Sequence, residues 1–155
     1  MPKDGQAITE KKTFSRTTTV ATSIQAPPAT VWGILTDGRR YPLWNSTIVS
    51  LTGSICPGSR IELVSTLDRS RTFKLKVKEF DPPGRLTWGD ALGQRTYTLT
   101  PISAGQTRFE MTERIGGPVF PLFAARIPSF DSSFEQFAAD LKSAAEAPQD
   151  SQREA

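Results

Sequence analysis

The chain has 155 residues, with 19 Lys and Arg against 16 Asp and Glu, a formal net charge of +3. One cysteine and no histidine exclude a Ser-His-Asp or Cys-His catalytic set, a histidine zinc site, an iron–sulfur cage and any disulfide within the chain. The length suits one domain with a substantial core, and so small a charge gives no reason to expect a nucleic-acid partner.

Residues 1–12 and 147–155 are polar and charged, so they are read as tails around one domain spanning 13–146. No apolar secretion segment precedes the domain, and no apolar run approaches the roughly 18 residues that cross a bilayer. The expectation is a cytoplasmic location without a membrane span.

The Thr-rich stretch Phe14–Gln25 predicts a first strand, with Val20, Thr22 and Ile24 on one face and Ala21, Ser23 and Gln25 on the other. Pro27-Pro28 closes it and pre-sets a helix over Ala29–Leu35, which Asp37-Gly38 ends. A second helical turn covers Arg39–Leu43. From Ser46 the period becomes two. Strands are expected over Ile48–Leu51 and Arg60–Ser65, on either side of a turn at Cys56-Pro57-Gly58. Cys56 has no base nearby in sequence and is read as an incidental turn residue. Thr72–Phe80 sets Phe73, Leu75, Val77 and Glu79 on one face, and Lys74, Lys76, Lys78 and Phe80 on the other. Asp81-Pro82-Pro83-Gly84 is a turn. Strands over Arg85–Asp90, Gln94–Thr100 and Thr107–Glu113 complete an antiparallel meander. Phe130, Phe134, Phe137, Leu141 and Ala144 then recur as one face of a helix, and Ser132-Ser133-Phe134-Glu135 has capping-box spacing. The class is therefore α+β: about seven antiparallel strands, two short helices after the first strand, and a long C-terminal helix.

Four charged residues share a parity with apolar ones: Glu79, Asp90, Arg95 and Glu113. A buried carboxylate must be paired, hydrogen-bonded or protonated, and Arg95 is the natural partner for Asp90 or Glu113. The other reading puts each at a strand end or bulge, where parity no longer predicts burial. The row Lys74, Lys76, Lys78, with Arg69 and Arg71 close by, reads as the solvated outer face of a strand or as a surface for an anionic partner.

Five local sequences occur in a recognisable order. They are Ser23-Ile24-Gln25-Ala26-Pro27-Pro28-Ala29-Thr30-Val31-Trp32; Leu35-Thr36-Asp37 followed by Tyr41-Pro42-Leu43-Trp44-Asn45; Phe80-Asp81-Pro82-Pro83-Gly84-Arg85-Leu86-Thr87-Trp88; Thr107 to Glu113 with Gly116-Gly117-Pro118; and Phe134 to Lys142. Together they resemble the START-like superfamily, also called SRPBCC or helix-grip, in its polyketide cyclase/dehydrase-like branch. The resemblance spans roughly Thr17 to Glu146.

The resemblance implies a curved sheet gripping the C-terminal helix, with an apolar cavity between them. Its strand walls would be Phe73, Leu75, Val77, Trp88, Leu99, Phe109 and Met111, closed from the helix by Phe130, Phe134 and Phe137, with Arg95 orienting the ligand. Arg39, Arg40, Tyr41, Trp44 and Asn45 would lie near the mouth. Gly116-Gly117-Pro118 with Phe120-Pro121 would be a lid or a plain connection. The implied partner is a hydrophobic small molecule, lipid- or polyketide-like, with no cofactor and no metal, bound by a monomer or homodimer. Two functions fit such a cavity. One is binding, by shape and apolar area. The other is cyclase- or dehydratase-type catalysis, in which Glu113, Tyr97 and Asp90 move protons and confinement supplies much of the rate. A third reading docks another protein on the exposed sheet or the connection.

Overall fold

Alternation along the chain builds a single antiparallel sheet. The computed structural model describes residues 3–147. Its strands are β1 (Ile8–Lys11), β2 (Ser15–Ile24), β3 (Ile48–Thr52), β4 (Arg60–Ser65), β5 (Asp68–Asp81), β6 (Arg85–Gly89), β7 (Gly93–Ser103) and β8 (Gln106–Gly116), in the spatial order β1-β2-β8-β7-β6-β5-β4-β3. The helices are α1 (Pro28–Leu35), α2 (Tyr41–Trp44), α3 (Phe120–Phe123) and α4 (Asp131–Glu146). Among the described residues no helix is long and apolar enough to cross a membrane.

The expected strands are all present, together with one more. β1 lies inside the stretch expected to be a polar tail, and pairs with β2 from Ile8 opposite Thr19 to Lys11 opposite Arg16. The residues before it are also held. Asp4 accepts hydrogen bonds from the Ser23 N–H at 2.9 Å and the Thr22 hydroxyl at 3.3 Å, and the Gly5 N–H donates to the Ala21 carbonyl. A short charged strand carries no readable apolar pattern. Its stability comes from covering a sheet edge that would otherwise leave backbone groups unpaired. The expected tail at 147–155 lies, beyond Ala147, outside the described residues.

The apolar face of α4 packs on β2 and β8 and against α1. Phe137 sits at its centre, with the rings of Tyr41, Trp44, Tyr97 and Phe109 at centroid distances of 6.4, 5.7, 5.7 and 6.2 Å. The expected capping box does not form. The helix begins at Asp131, so Ser132 and Ser133 already lie within its first turn, and no side chain caps it. Glu135 instead accepts the Ala7 N–H at 2.9 Å, and Asp131 accepts the Thr9 hydroxyl. The first turn of α4 is thus what fastens the N-terminal segment. At the other end, Glu146 accepts the Gln25 N–H and the Lys142 ammonium, each at 2.8 Å.

β5 contains a departure from alternation that moves two residues to unexpected faces. Val77 lies opposite Trp88 but Glu79 opposite Thr87, so the register shifts between them. Such a bulge reverses the faces of all later residues. Glu79, expected inward, is exposed and bonds Arg85 at 2.8 Å and the Thr87 hydroxyl at 3.0 Å. Phe80, expected outward, turns in and meets Trp32 edge to face at 5.3 Å. The β6–β7 hairpin is tight for a related reason: a Cβ on Gly89 would come within 2.4 Å of the Gly93 carbonyl oxygen, so only glycine fits.

Two measurements check this packing. Phe137→Ala should lower unfolding stability by about 3–5 kcal/mol, whereas Leu122→Ala on exposed α3 should change it by less than about 0.5 kcal/mol in urea titrations. A loss below about 1 kcal/mol for Phe137→Ala would remove the ring from its central role. The second concerns pH. Burial raises the Glu146 pKa, but its bonds to Lys142 and Gln25 outweigh that and hold it below the ordinary value of 4.5. Stabilisation from a lowered carboxylate is complete above 4.5 and fades as pH falls through the folded value. Glu146→Gln should therefore flatten the decline in melting temperature between about pH 5 and pH 3.

Candidate functional site

Because α4 seats on β2 and β8, the same face of the sheet over β4 to β7 is left without a long helix above it. A cavity of about 530 Å³ opens there. Phe73, Leu75 and Trp88 form its floor, and the segment carrying Phe123, Ile127 and Phe130 forms its roof. Arg95, Glu113 and Ile115 make one wall. Leu67, Asp68, Arg71 and Arg126, all exposed, mark the rim toward solvent. The roof is pinned from below: Arg16 donates to the carbonyls of Ile127 at 3.2 Å and Pro128 at 2.8 Å, and its guanidinium lies 4.6 Å over the Phe130 ring.

Of the residues expected to line a cavity, the structure brings Phe73, Leu75, Trp88, Arg95 and Phe130 together here, with Asp90 and Glu113. The others belong to solid core. Val77, Leu99, Phe109, Met111, Phe134 and Phe137 are buried among one another, as is Tyr97. Phe109 and Phe137 stack with planes only 10° apart, and Trp88 meets Tyr97 edge to face at 5.1 Å. These rings fill the space between sheet and helix, and the opening is displaced toward the start of α4. The expected mouth residues are elsewhere too. Arg39, Arg40, Trp44 and Asn45 do not line the cavity. Tyr41 is fully buried and donates its hydroxyl to the Leu35 carbonyl. Asn45 accepts from the N–H and hydroxyl of Thr47 at 2.9 and 2.6 Å.

Leu63, Ile115, Phe123, Arg71 and Arg126 were not anticipated. Ile115 continues the inward parity of Met111 and Glu113 once β8 is followed to Gly116. Leu63 lies directly opposite Phe73 across β4 and β5. The roof residues have no periodic signal, since two consecutive short helical turns, flanked by Pro118 and Pro128, carry too few repeats.

The polar centre of the wall is the pair Arg95 and Glu113. They face each other across β7 and β8, and Arg95 Nε lies 2.6 Å from Glu113 Oε1. Side-chain exposures of 15% and 18% make this a largely desolvated pair. Burial works against the Arg95 charge, and the adjacent Glu113 carboxylate more than compensates, so the guanidinium is held above its ordinary value. The cation also lies 4.9 Å over the Phe134 ring. Tyr97 sits beside it, its pKa pushed up to about 12 by burial against the opposing pull of Arg95. The Tyr97 hydroxyl is close enough to feel that charge but makes no hydrogen bond of good geometry. Asp90 does something else. Its Oδ1 accepts the N–H groups of Leu92 and Gly93, each at 2.9 Å, and so organises the β6–β7 turn. A second depression, of about 520 Å³, is bordered by exposed Arg60, Glu62, Lys74 and Lys76.

A double-mutant cycle with Arg95→Met and Glu113→Gln should give a coupling above about 1 kcal/mol, beyond the range of exposed pairs. Coupling below about 0.5 kcal/mol would make the pair a surface contact in energetic terms.

Residues 15–146 match the model of the family described as polyketide cyclase / dehydrase and lipid transport. No curated protein matches the chain. Among solved structures, a conserved protein of unknown function from Enterococcus faecalis superposes with a TM-score of 0.68 at 14% identity, over 92% of this chain and 78% of that one. A START superfamily protein from Mycobacterium smegmatis gives 0.62 at 16% identity, over 84% and 97%. DynU16, from the dynemicin biosynthetic locus, gives 0.63 at 22% identity, over 83% of this chain and 46% of its own. At such identities the structural likeness speaks for the fold alone. The family match covers nearly the whole domain: the chain belongs to the polyketide cyclase/dehydrase and lipid transport family, with the START-like helix-grip fold.

Proposed function

We propose that this chain binds a hydrophobic small molecule, lipid- or polyketide-like, in the cleft between β4–β7 and the roof segment 123–130. The observation that carries this reading is an apolar floor left open beside a densely packed ring cluster. Phe73, Leu75 and Trp88 face the cleft, and its roughly 530 Å³ lies within the usual range for ligand sites. Each 100 Å² of apolar surface that a ligand hides there contributes about 2.5 kcal/mol before the losses of association are subtracted. The Arg95–Glu113 pair is the fixed polar landmark against which the ligand orients.

The same wall supports a second reading, catalysis of the cyclase or dehydratase type without a cofactor. Glu113 meets Arg95 through Oε1, and its Oε2 makes no hydrogen bond among the described residues. Tyr97, its pKa pushed up to about 12, stays protonated at neutral pH, but it is fully buried behind the pair and does not line the cleft, so it fits this reading less well than Glu113. A confined poly-β-keto chain would need little more than positioning and one proton acceptor. Asp90 fits this reading less well, since its carboxylate already holds the turn.

Binding is tested with a neutral apolar probe, N-phenyl-1-naphthylamine, followed by its own fluorescence enhancement on direct excitation. Ile115→Trp, which fills the cleft from its wall, should weaken the probe at least about tenfold with the fold intact by circular dichroism. Equal affinity in that variant would place the probe elsewhere. Native mass spectrometry of the purified protein should show a co-purifying apolar compound. The catalytic reading requires turnover of a poly-β-keto substrate that Glu113→Gln abolishes while probe binding persists; unchanged turnover in that variant rules it out.

A further inference from the structure

We infer that the ligand of this cleft carries an anionic group, a carboxylate or its equivalent, seated at the rim between Arg71 and Arg126. The inference rests on the cleft being the binding site. It comes from counting donors and acceptors rather than charges. The cleft is bordered by three arginines and three carboxylates, and formally they cancel. Their hydrogen bonds do not. Glu113 is taken by Arg95. Asp90 accepts two backbone N–H groups. Asp68 accepts the N–H and hydroxyl of Ser70 at 3.1 and 2.6 Å, and these bonds hold its carboxyl below the ordinary range. Every carboxylate on the cleft therefore already has donors. Among the described residues, neither Arg71 nor Arg126 forms an ion pair or a hydrogen bond. A guanidinium presents five N–H donors and no acceptor, so these two side chains leave their donor capacity free at the rim. A planar anion finds two unengaged forks there.

The placement adds to this. The Arg71 guanidinium lies 4.4 Å over the Phe73 ring, which holds it against the cleft floor. Arg71 belongs to β5 in the floor, and Arg126 to the turn after α3 in the roof. Both border the cleft, one from each side. The ligand's apolar body then lies inward along Phe73, Leu75 and Trp88. Arg69, Arg39 and Arg40 do not border the cleft and do not share this role.

The test compares an acid with its own neutral ester, so the apolar body is held constant. Decanoate and methyl decanoate supply an alkyl body; 2-naphthoate and methyl 2-naphthoate supply a fused aromatic one. Calorimetric titration at low salt should show at least one acid binding about tenfold or more tightly than its ester, the preferred body identifying the class. That preference should shrink in about 0.5 M NaCl, because the rim is exposed. Arg71→Gln and Arg126→Gln should each cost several-fold in acid affinity and leave the ester unchanged, and both positions are exposed enough for the fold to tolerate them. Equal binding of acid and ester in the wild-type protein overturns the inference while leaving the cleft as a neutral-ligand site. So does an acid preference that survives the double substitution. Failure of all four compounds to bind, together with failure of the neutral naphthylamine probe, removes the cleft itself as a binding site.

Discussion

The packing of one phenylalanine decides where this molecule is solid and where it is open. Phe137 inserts from α4 among Tyr41, Trp44, Tyr97 and Phe109, and that cluster draws the helix down onto β2 and β8. A helix seated so closely on one half of a curved sheet cannot also cover the other half. The cleft over β4 to β7 follows from this geometry, and so does its need for a separate roof. That roof, two short turns between prolines, has little internal hydrogen bonding and is held largely by Arg16, whose guanidinium bonds two of its carbonyls and lies over Phe130. Core and cleft are two outcomes of a single packing choice.

The same geometry explains the electrostatics. The Arg95–Glu113 pair lies where core meets cleft, shielded by Phe134 on one side and bordering the opening on the other. A pair in that position has lost most of its water and depends on mutual contact. It is a natural fixed point in a wall of otherwise adaptable apolar side chains. Tyr97 behind it is insulated by the ring cluster, which is why its proton is so firmly held.

Much of the fold was readable because alternation and helical spacing are local. The period-two runs gave seven of the strands in order, and the spacing from Phe130 to Ala144 gave α4. The family resemblance rested on the same local segments. The site was less readable, because it depends on the distance between elements. Phe73, Leu75, Trp88, Arg95 and Phe130, expected on the cavity, border the cleft. Phe109, Phe134 and Phe137 were placed on the right face, but no pattern in the sequence says whether an inward ring meets another ring or an empty space. Glu79 and Phe80 exchanged faces because one inserted residue at Lys78 is invisible to a period count. β1 escaped notice because its stability lies in the edge it covers and in Glu135 and Asp131, more than a hundred residues away.

That last contact orders the chain in time as well as in space. Ala7 is bound by Glu135 at a sequence separation of 128, and β2 finds its inner partner only in β8. The inner edge of β2 therefore stays unpaired until β8 has formed, and an unpaired edge is a template for pairing with another chain. The entropy of closing so long a loop must be met before any of these contacts contributes. A strand of four residues thus closes the outer edge of the sheet, fastened by a helix from the far end of the chain.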